Sequence, residues 1–473
     1  VLRGFLILVS FLTWGMSAAR AQNAIGRGPV LDLYHQHCAV CHGKDFKNGL
    51  GGTLLGDWDH VNEQQTIETI TRNGLLDLGM QAFGEVLSEE EIRALAILIE
   101  EKRLQARNAE LKLPNEAEPF RSRHHSFTLE QVVPSENGIF WGMDFLPDGS
   151  MLITGFEGEL RHWKDGILLP PVAGTPEVWR KGQGGLLDVG VHPKYSENGW
   201  VYLSFSEELG DGIGFTKVVR GRITNNTWTD EEIIFSVDPK FANGAGVHFG
   251  SRFVFQNGYV YFGVGDRGRQ HDAQDLSRPN GKLFRFHDDG RLPEDNPFAD
   301  KDGAYPGIYT YGNRNPQGLA IHPQTGDLWE SEHGPRGGDE INHVKKGANY
   351  GWPIITHGMN YNGTPITGIT AKEGMEQPAT HFTPSIAICG IDFVHGNQFP
   401  KWENDLLVGG LASEEVWRLR TKGDQVVERE MIIKNRGRVR DIACAPDGTV
   451  YLILNRNKRA GPGGLFQLIP LTD

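Results

Sequence analysis

The stretch HQHCAVCHGKD sets Cys38, Cys41 and His42 in the order C-x-x-C-H. Two thiols at that spacing can form thioethers to the vinyl groups of a haem, and the adjacent imidazole can reach the iron from one side. A redox dithiol or half of a zinc site would use the same two cysteines. Neither needs the histidine that follows, and no second closely spaced cysteine pair occurs. Haem iron also needs a sixth ligand or an open position. NGLLDLGMQAF offers Met80 in a glycine-flanked loop. A soft thioether opposite histidine raises the reduction potential and suits electron transfer; ordinary core packing is the competing reading of Met80.

A second set of residues lies far downstream. His248 in GAGVHFGSR is a neutral imidazole near physiological pH and a suitable proton acceptor. Asp266 in FGVGDRG follows an apolar run, where a carboxylate can orient a basic histidine or simply cap its own turn. Gln183 in RKGQGGLLD is a loop amide able to bond a hydroxyl. Arg438 and Arg440 in NRGRVRD are spaced i, i+2, which on a strand points both to one face; an exposed basic edge would look the same. GPRGGDE, from Gly334 to Glu340, is a tight turn with carbonyls free to approach a cation.

These residues need elements to hold them. Around the haem motif, VNEQQTIETITRNG reads as a helix from about Glu63. SEEEIRALAILIEEKRLQ opens on a capping-box pair, Ser88 and Glu91, and continues at helical spacing through Ile92, Leu95, Ala96 and Ile99. Before them, VLRGFLILVSFLTWGMSAARAQ reads as a secretory leader cleaved after Ala21; its apolar run is too short to span a bilayer comfortably. After them, a polar, proline-containing stretch reads as a linker over 106–123. The remainder repeats a unit of apolar strand, Pro/Gly/Asp/Asn turn and second strand, starting at Trp141, Gly185, Gly250, Gly318, Gly390 and Arg440. Six such units, in a chain with 61 glycines, predict six blades closed into a ring. A two-sheet sandwich is the alternative. Inserts near 267–280 and 296–312 would form loops over one end, where binding groups usually sit. The predicted layout is a leader (1–21), an all-α domain (22–105), the linker (106–123) and an all-β six-bladed propeller (124–473).

Residues 25–105, through Cys38, Cys41, His42 and Met80, resemble a class I c-type cytochrome. Residues 125–473 resemble the soluble quinoprotein sugar dehydrogenases, six-bladed propellers that use pyrroloquinoline quinone (PQQ); the most specific stretch is YGNRNPQGLAIHPQTGDLWESEHGPRGGDEINHVKKGANYGWP. The resemblance implies that His248 is the general base for the sugar anomeric hydroxyl, with Asp266 beside it and Gln183 lining the site. It places Arg314 and Asn315 on the cofactor, where the guanidinium stabilises charge developing on the quinone oxygens. Arg438 and Arg440 would meet cofactor carboxylates, and Asp339 would lie beside that site. The carbonyls of Gly334 and Pro335 would ligate an active-site calcium, with Glu340 and Tyr350 contributing backbone oxygens to a second one.

The chain departs from the family pattern at three places. Ala412 stands where a lysine is usual, His271 where an amide is usual, and NYNGTPITGITAKEGMEQPATHFTPS replaces a longer insertion. The missing lysine implies weaker binding of one cofactor carboxylate or altered cofactor contacts or substrate range, and the other two departures imply a more open sugar site. The expected function is oxidation of an aldose to a lactone, with electrons passing to haem c on the same chain and then to a cytochrome or membrane oxidase, in the periplasm or outside the cell. A PQQ-dependent dehydrogenase of another alcohol or a sorbosone-like aldehyde, and a non-catalytic propeller with a haem domain, are the alternatives. No G-x-G-x-x-G opens a βαβ unit, which argues against a nicotinamide cofactor. A net charge of −13 argues against nucleic acid. No later stretch reads as transmembrane. Cys389 and Cys444 read as two buried thiols or as a disulfide.

Overall fold

A computed structural model describes residues 28–56, 66–110, 118–135, 138–456 and 462–471. The leader expected over 1–21 lies outside the described residues, as does the middle of the expected linker. The chain divides into two compact units. One comprises residues 1–112 with 335–337 and 357–370; the other comprises 113–334, 338–356 and 371–473.

The described part of the first unit is helical: α1 (Pro29–His37), α2 (Ala39–His42), α3 (Ile67–Asn73) and α4 (Glu89–Glu110). Pro29 opens α1, where its missing N–H costs nothing. The α3 helix begins at Ile67, capped by Thr66, whose Oγ1 accepts the Thr69 N–H at 3.2 Å; Glu63, where the sequence placed the helix start, lies outside the described residues. Ser88 and Glu91 form the expected capping box, with Ser88 N–H to Glu91 Oε2 at 2.9 Å and Glu91 N–H to Ser88 Oγ at 3.3 Å. The α4 helix runs into the stretch read as linker, since no Gly or Pro interrupts it before Pro114. Its buried Ile92, Leu95, Leu98 and Ile99 pack with Val30, Tyr34, Ile67 and Phe83. Segments 335–337 and 357–370 belong here for physical reasons. Met359 joins this core, Arg93 donates to the Thr367 and Gly368 carbonyls at 3.0 and 3.1 Å, and Arg336 forms a buried two-point ion pair with Glu101.

The second unit is a six-bladed β-propeller. Its inner strands are Phe140–Phe145, Leu186–Val191, Phe253–Gln256, Pro316–Ile321, Ile388–Phe393 and Arg438–Cys444. They begin within a few residues of the six repeat starts read from the sequence. Each leads an antiparallel sheet, of four strands in the first five blades. The sixth sheet has five strands, because Ser126–Pro134 from near the start of this unit pairs with Gly464–Pro470 at its end, and Phe120–Arg121 adds to the outside. Pairing the two ends closes the ring and removes the open edges of a partial one.

Buried aspartates staple blade to blade. Asp144, Asp188, Asp392 and Asp441 accept the backbone N–H of Val191, Phe253, Cys444 and Met143 at 2.6, 2.9, 2.8 and 3.1 Å. At the centre Arg252 bonds Asp188 (2.7 Å), Asp441 (2.9 Å) and the carbonyls of Trp141, Arg440 and Gln317 (3.3, 3.0 and 3.2 Å). One guanidinium thereby links its own blade to four others. Cys389 and Cys444 are buried, unpaired thiols, which excludes the disulfide.

Candidate active site and haem motif

Cys38 is the N-cap of the short α2, and Cys41 and His42 lie in its single turn. His42 Nδ1 lies 3.1 Å from the Gly52 carbonyl, so Nδ1 carries the proton and Nε2 is left to bind iron. Gly51 is required here: a Cβ would lie 3.0 Å from the His42 ring. Burial pushes the Cys38 thiol up to about 11, and a reciprocal backbone pair between Leu75 and Met80 (2.9 and 3.0 Å) shapes the methionine loop. Val40, Leu50, Leu76 and Leu78, beside the motif and in that loop, are exposed apolar side chains. Two thiols, a tautomer-fixed imidazole and an apolar rim fit a covalently held porphyrin.

In the propeller, His248 Nδ1 meets Asp266 Oδ1 at 2.6 Å. Asp266 is buried and held from two further sides, by Gly268 N–H to Oδ1 (2.8 Å) and Trp352 Nε1–H to Oδ2 (2.9 Å). Burial, then the Arg314 charge, holds His248 below the usual imidazole range despite Asp266. Burial would raise Asp266, but His248 and Arg314 outweigh it and hold the carboxyl below its ordinary value. His248 has φ 55°, a left-handed conformation uncommon outside glycine and often found at functional sites. Its N–H donates to Gln183 Oε1 at 2.8 Å. Gln183 thus fixes the main chain of the histidine and keeps its amide N–H groups for a ligand. With Nδ1 tied to a carboxylate, His248 Nε2 is the atom able to take a proton.

Arg314 stands next to this pair. Its Nη1 donates to the carbonyls of His333 and Gly334 at 2.8 and 2.7 Å, and its own N–H goes to Glu332 at 2.7 Å. Asn315 spends Oδ1 on the Gly250 N–H (3.2 Å) and Gln317 (3.3 Å), leaving its amide N–H groups. Arg440 reaches only Asn455 (3.4 Å) and Cys389 Sγ (3.8 Å) by its side chain, and neither it nor Arg438 forms an ion pair among the described residues. The structure therefore brings Arg314, Arg438 and Arg440 around His333; Arg438 feels the Glu414 carboxylate but forms no ion pair with it among the described residues. That excess of cation fits a polycarboxylate cofactor. Ala412 is exposed, and the nearby Lys434 is committed to Glu415, so no lysine takes up the missing charge there.

Among the described residues, no group of three His, Cys, Asp or Glu side chains is arranged to hold a metal. The carbonyls of His333 and Gly334 do converge on a single cationic nitrogen of Arg314, a donor set suited to a hard cation. Asp339 shapes that loop: Oδ1 accepts the Gly334 N–H and Oδ2 the Ile388 N–H, both at 3.0 Å. Burial pushes it up to about 6. Glu340 lies in the third strand of the fourth blade, paired on both sides, so its backbone serves the ladder, and its carboxyl is what it has to offer a cation. The Tyr350 hydroxyl donates to the His343 carbonyl at 2.7 Å. His271 lies in a short 3-10 turn, exposed.

Several functional residues carried no sequence signal. Trp352 holds Asp266. Arg267, stacked 3.6 Å from the Phe249 centroid, donates to the Gly214, Ala245 and Val247 carbonyls and fixes the segment before His248. Lys282 donates to the Asp272, Ala273 and Asn280 carbonyls and holds the 267–280 loop; burial pushes it down to about 7. His333 sits between Glu332 and Gly334, with its Nε2 buried and unpartnered.

Residues 137–462 match the family model described as Glucose / Sorbosone dehydrogenase, and residues 30–99 match that of Cytochrome C oxidase, cbb3-type, subunit III. Over 338 residues the chain is 42% identical to Aldose sugar dehydrogenase YliI of Escherichia coli (strain K12), covering 70% of this chain and 90% of that one. It is 26% identical to Quinoprotein glucose dehydrogenase B of Acinetobacter calcoaceticus, covering 58% of this chain and 73% of that one. The crystal structure of the soluble aldose sugar dehydrogenase from Escherichia coli in the apo-form superposes with a TM-score of 0.69 at 40% identity, covering 73% of this chain and all of that one (100%). The propeller, the His248–Asp266 pair and these likenesses agree: the chain belongs to the Glucose / Sorbosone dehydrogenase family, with a cytochrome c domain ahead of its propeller.

Proposed function

We propose that this protein is a quinohaemoprotein that oxidises an aldose at its anomeric carbon to a lactone. The observation that carries the reading is the buried His248–Asp266 pair at 2.6 Å with Arg314 beside it, and with Arg438 and Arg440 gathered around the neighbouring His333. His248 Nε2 takes the proton of the anomeric hydroxyl, while Asp266 holds the ring and stabilises the imidazolium that forms. Gln183 presents its amide to the sugar. Arg438 and Arg440 bind cofactor carboxylates, and Arg314 and Asn315 face the quinone. The Gly334 and Pro335 carbonyls would be the donors for calcium, and Cys38, Cys41, His42 and Met80 would hold haem c. When bound, PQQ supplies the electrophilic carbon that accepts hydride from the sugar. The name of the Acinetobacter relative, a quinoprotein, supports that assignment.

Haem c, held by Cys38, Cys41, His42 and Met80, would supply one-electron transfer toward an external cytochrome or oxidase. Its place on the same chain raises its effective concentration over that of a diffusing acceptor. The N-terminal apolar stretch supports export to the periplasm, and no helix among the described residues is long and apolar enough to cross a membrane.

The test is anaerobic addition of single sugars to the full chain carrying haem, PQQ and calcium. Ferrous haem bands should appear with aldoses and not with ketoses. Reduction by a sorbosone-like aldehyde alone would move the substrate class. No quinone reduction by any sugar or aldehyde would sink the catalytic reading.

A further inference from the structure

His333 has no role in the proposed reaction as described, yet its place is unusual. Its main chain is fixed at both ends: the N–H donates to the Asn315 carbonyl at 3.1 Å, and the carbonyl accepts Arg314 Nη1 at 2.8 Å. Its Nε2 is buried with no hydrogen-bond partner. The charged and titratable groups around it are Arg314, His248, Arg440 and Arg438, the set that faces the cofactor. Burying an imidazole nitrogen without a partner costs free energy, and native structures rarely leave such an atom orphaned without a functional reason. In the tautomer that protonates Nε2, the surrounding arginine donors cannot satisfy it, and its partner must bring an acceptor oxygen.

We propose that His333 is a cofactor-binding residue, whose Nε2 hydrogen-bonds an oxygen of the tricarboxylate quinone held by Arg314, Arg438 and Arg440. The proposal rests on the reading that this site takes PQQ. It adds a neutral donor to a site whose fourth expected cation is absent at Ala412. His333 acts through side-chain hydrogen bonding, while its carbonyl serves the loop independently. Replacing the ring therefore leaves the Arg314 contact in place.

The test titrates PQQ, at saturating calcium, into the full haem-loaded chain, following tryptophan fluorescence and the absorption band of the bound quinone. Wild type is compared with His333→Leu, His333→Gln and Arg438→Ala. A hydrogen bond to a charged group is worth about 10- to 100-fold in affinity. His333→Leu should lose about that much and shift the absorption band, whereas His333→Gln, which keeps an amide donor, should stay within about 3-fold of wild type. If both His333 variants bind as wild type does, or both weaken equally with an unshifted band, the inference is overturned. In either case a weakened Arg438→Ala leaves the PQQ reading standing. If wild type itself does not bind PQQ, the proposed function fails and this inference with it.

Discussion

His248 works in a site that pulls its proton affinity two ways. Burial and Arg314 lower it; Asp266 raises it; the first two prevail. A base with a lowered pKa stays unprotonated to more acidic pH. The acid limb of kcat/KM should therefore fall below pH of about 6.5, the ordinary imidazole value. An acid limb centred near neutrality or above would contradict the assignment. Asp266→Asn removes the groups that raise His248, so the limb should move further down while kcat falls about 100- to 10,000-fold. Trp352→Phe removes one of the bonds on Asp266 and should cost about 10-fold in kcat, with KM for sugar little changed. His248 and Asp266 were singled out in the sequence by the family resemblance, since residue type alone left each with a structural reading. Trp352 was not, because an indole 86 positions away reaches Asp266 only once the blades have closed.

Helices announce themselves through local chemistry, and that is why α4 could be read. Its capping box and its apolar spacing lie within a few residues of each other, and both are present in the structure. What no local pattern shows is that segments 335–337 and 357–370 share a unit with these helices. Their attachment depends on pairs such as Arg336 with Glu101, separated by 235 positions. Both side chains are buried, so removing one strands the other charge. Glu101→Ala should cost about 3–5 kcal/mol. Denaturant unfolding followed by haem absorbance measures it. A loss under about 1 kcal/mol, typical of an exposed pair, would show that water reaches Arg336.

At the scale of the whole ring, six repeats of strand, turn and strand were enough to predict six blades, because each repeat is one local unit. The hub that joins them was invisible, since Arg252 is an unremarkable arginine until five blades converge on it. Burial raises Asp188, and pushes Asp441 up to about 8, although Arg252 lowers both. Removing the cation raises them further. A carboxyl whose folded pKa exceeds its unfolded value of about 4 binds a proton in the folded state that the unfolded chain lacks, so stability falls as pH rises between the two values. Arg252→Met should therefore destabilise the propeller by about 3–5 kcal/mol near neutral pH, less near pH 5 and more near pH 9. Adding Asp188→Asn and Asp441→Asn removes the stranded charges and should restore much of the loss, flattening the pH dependence. Thermal unfolding of the three variants at pH 5, 7 and 9 decides it. A loss that is the same at every pH, and unrelieved by the two asparagines, would mean that Arg252 holds the ring through its carbonyl bonds rather than by neutralising buried carboxylates.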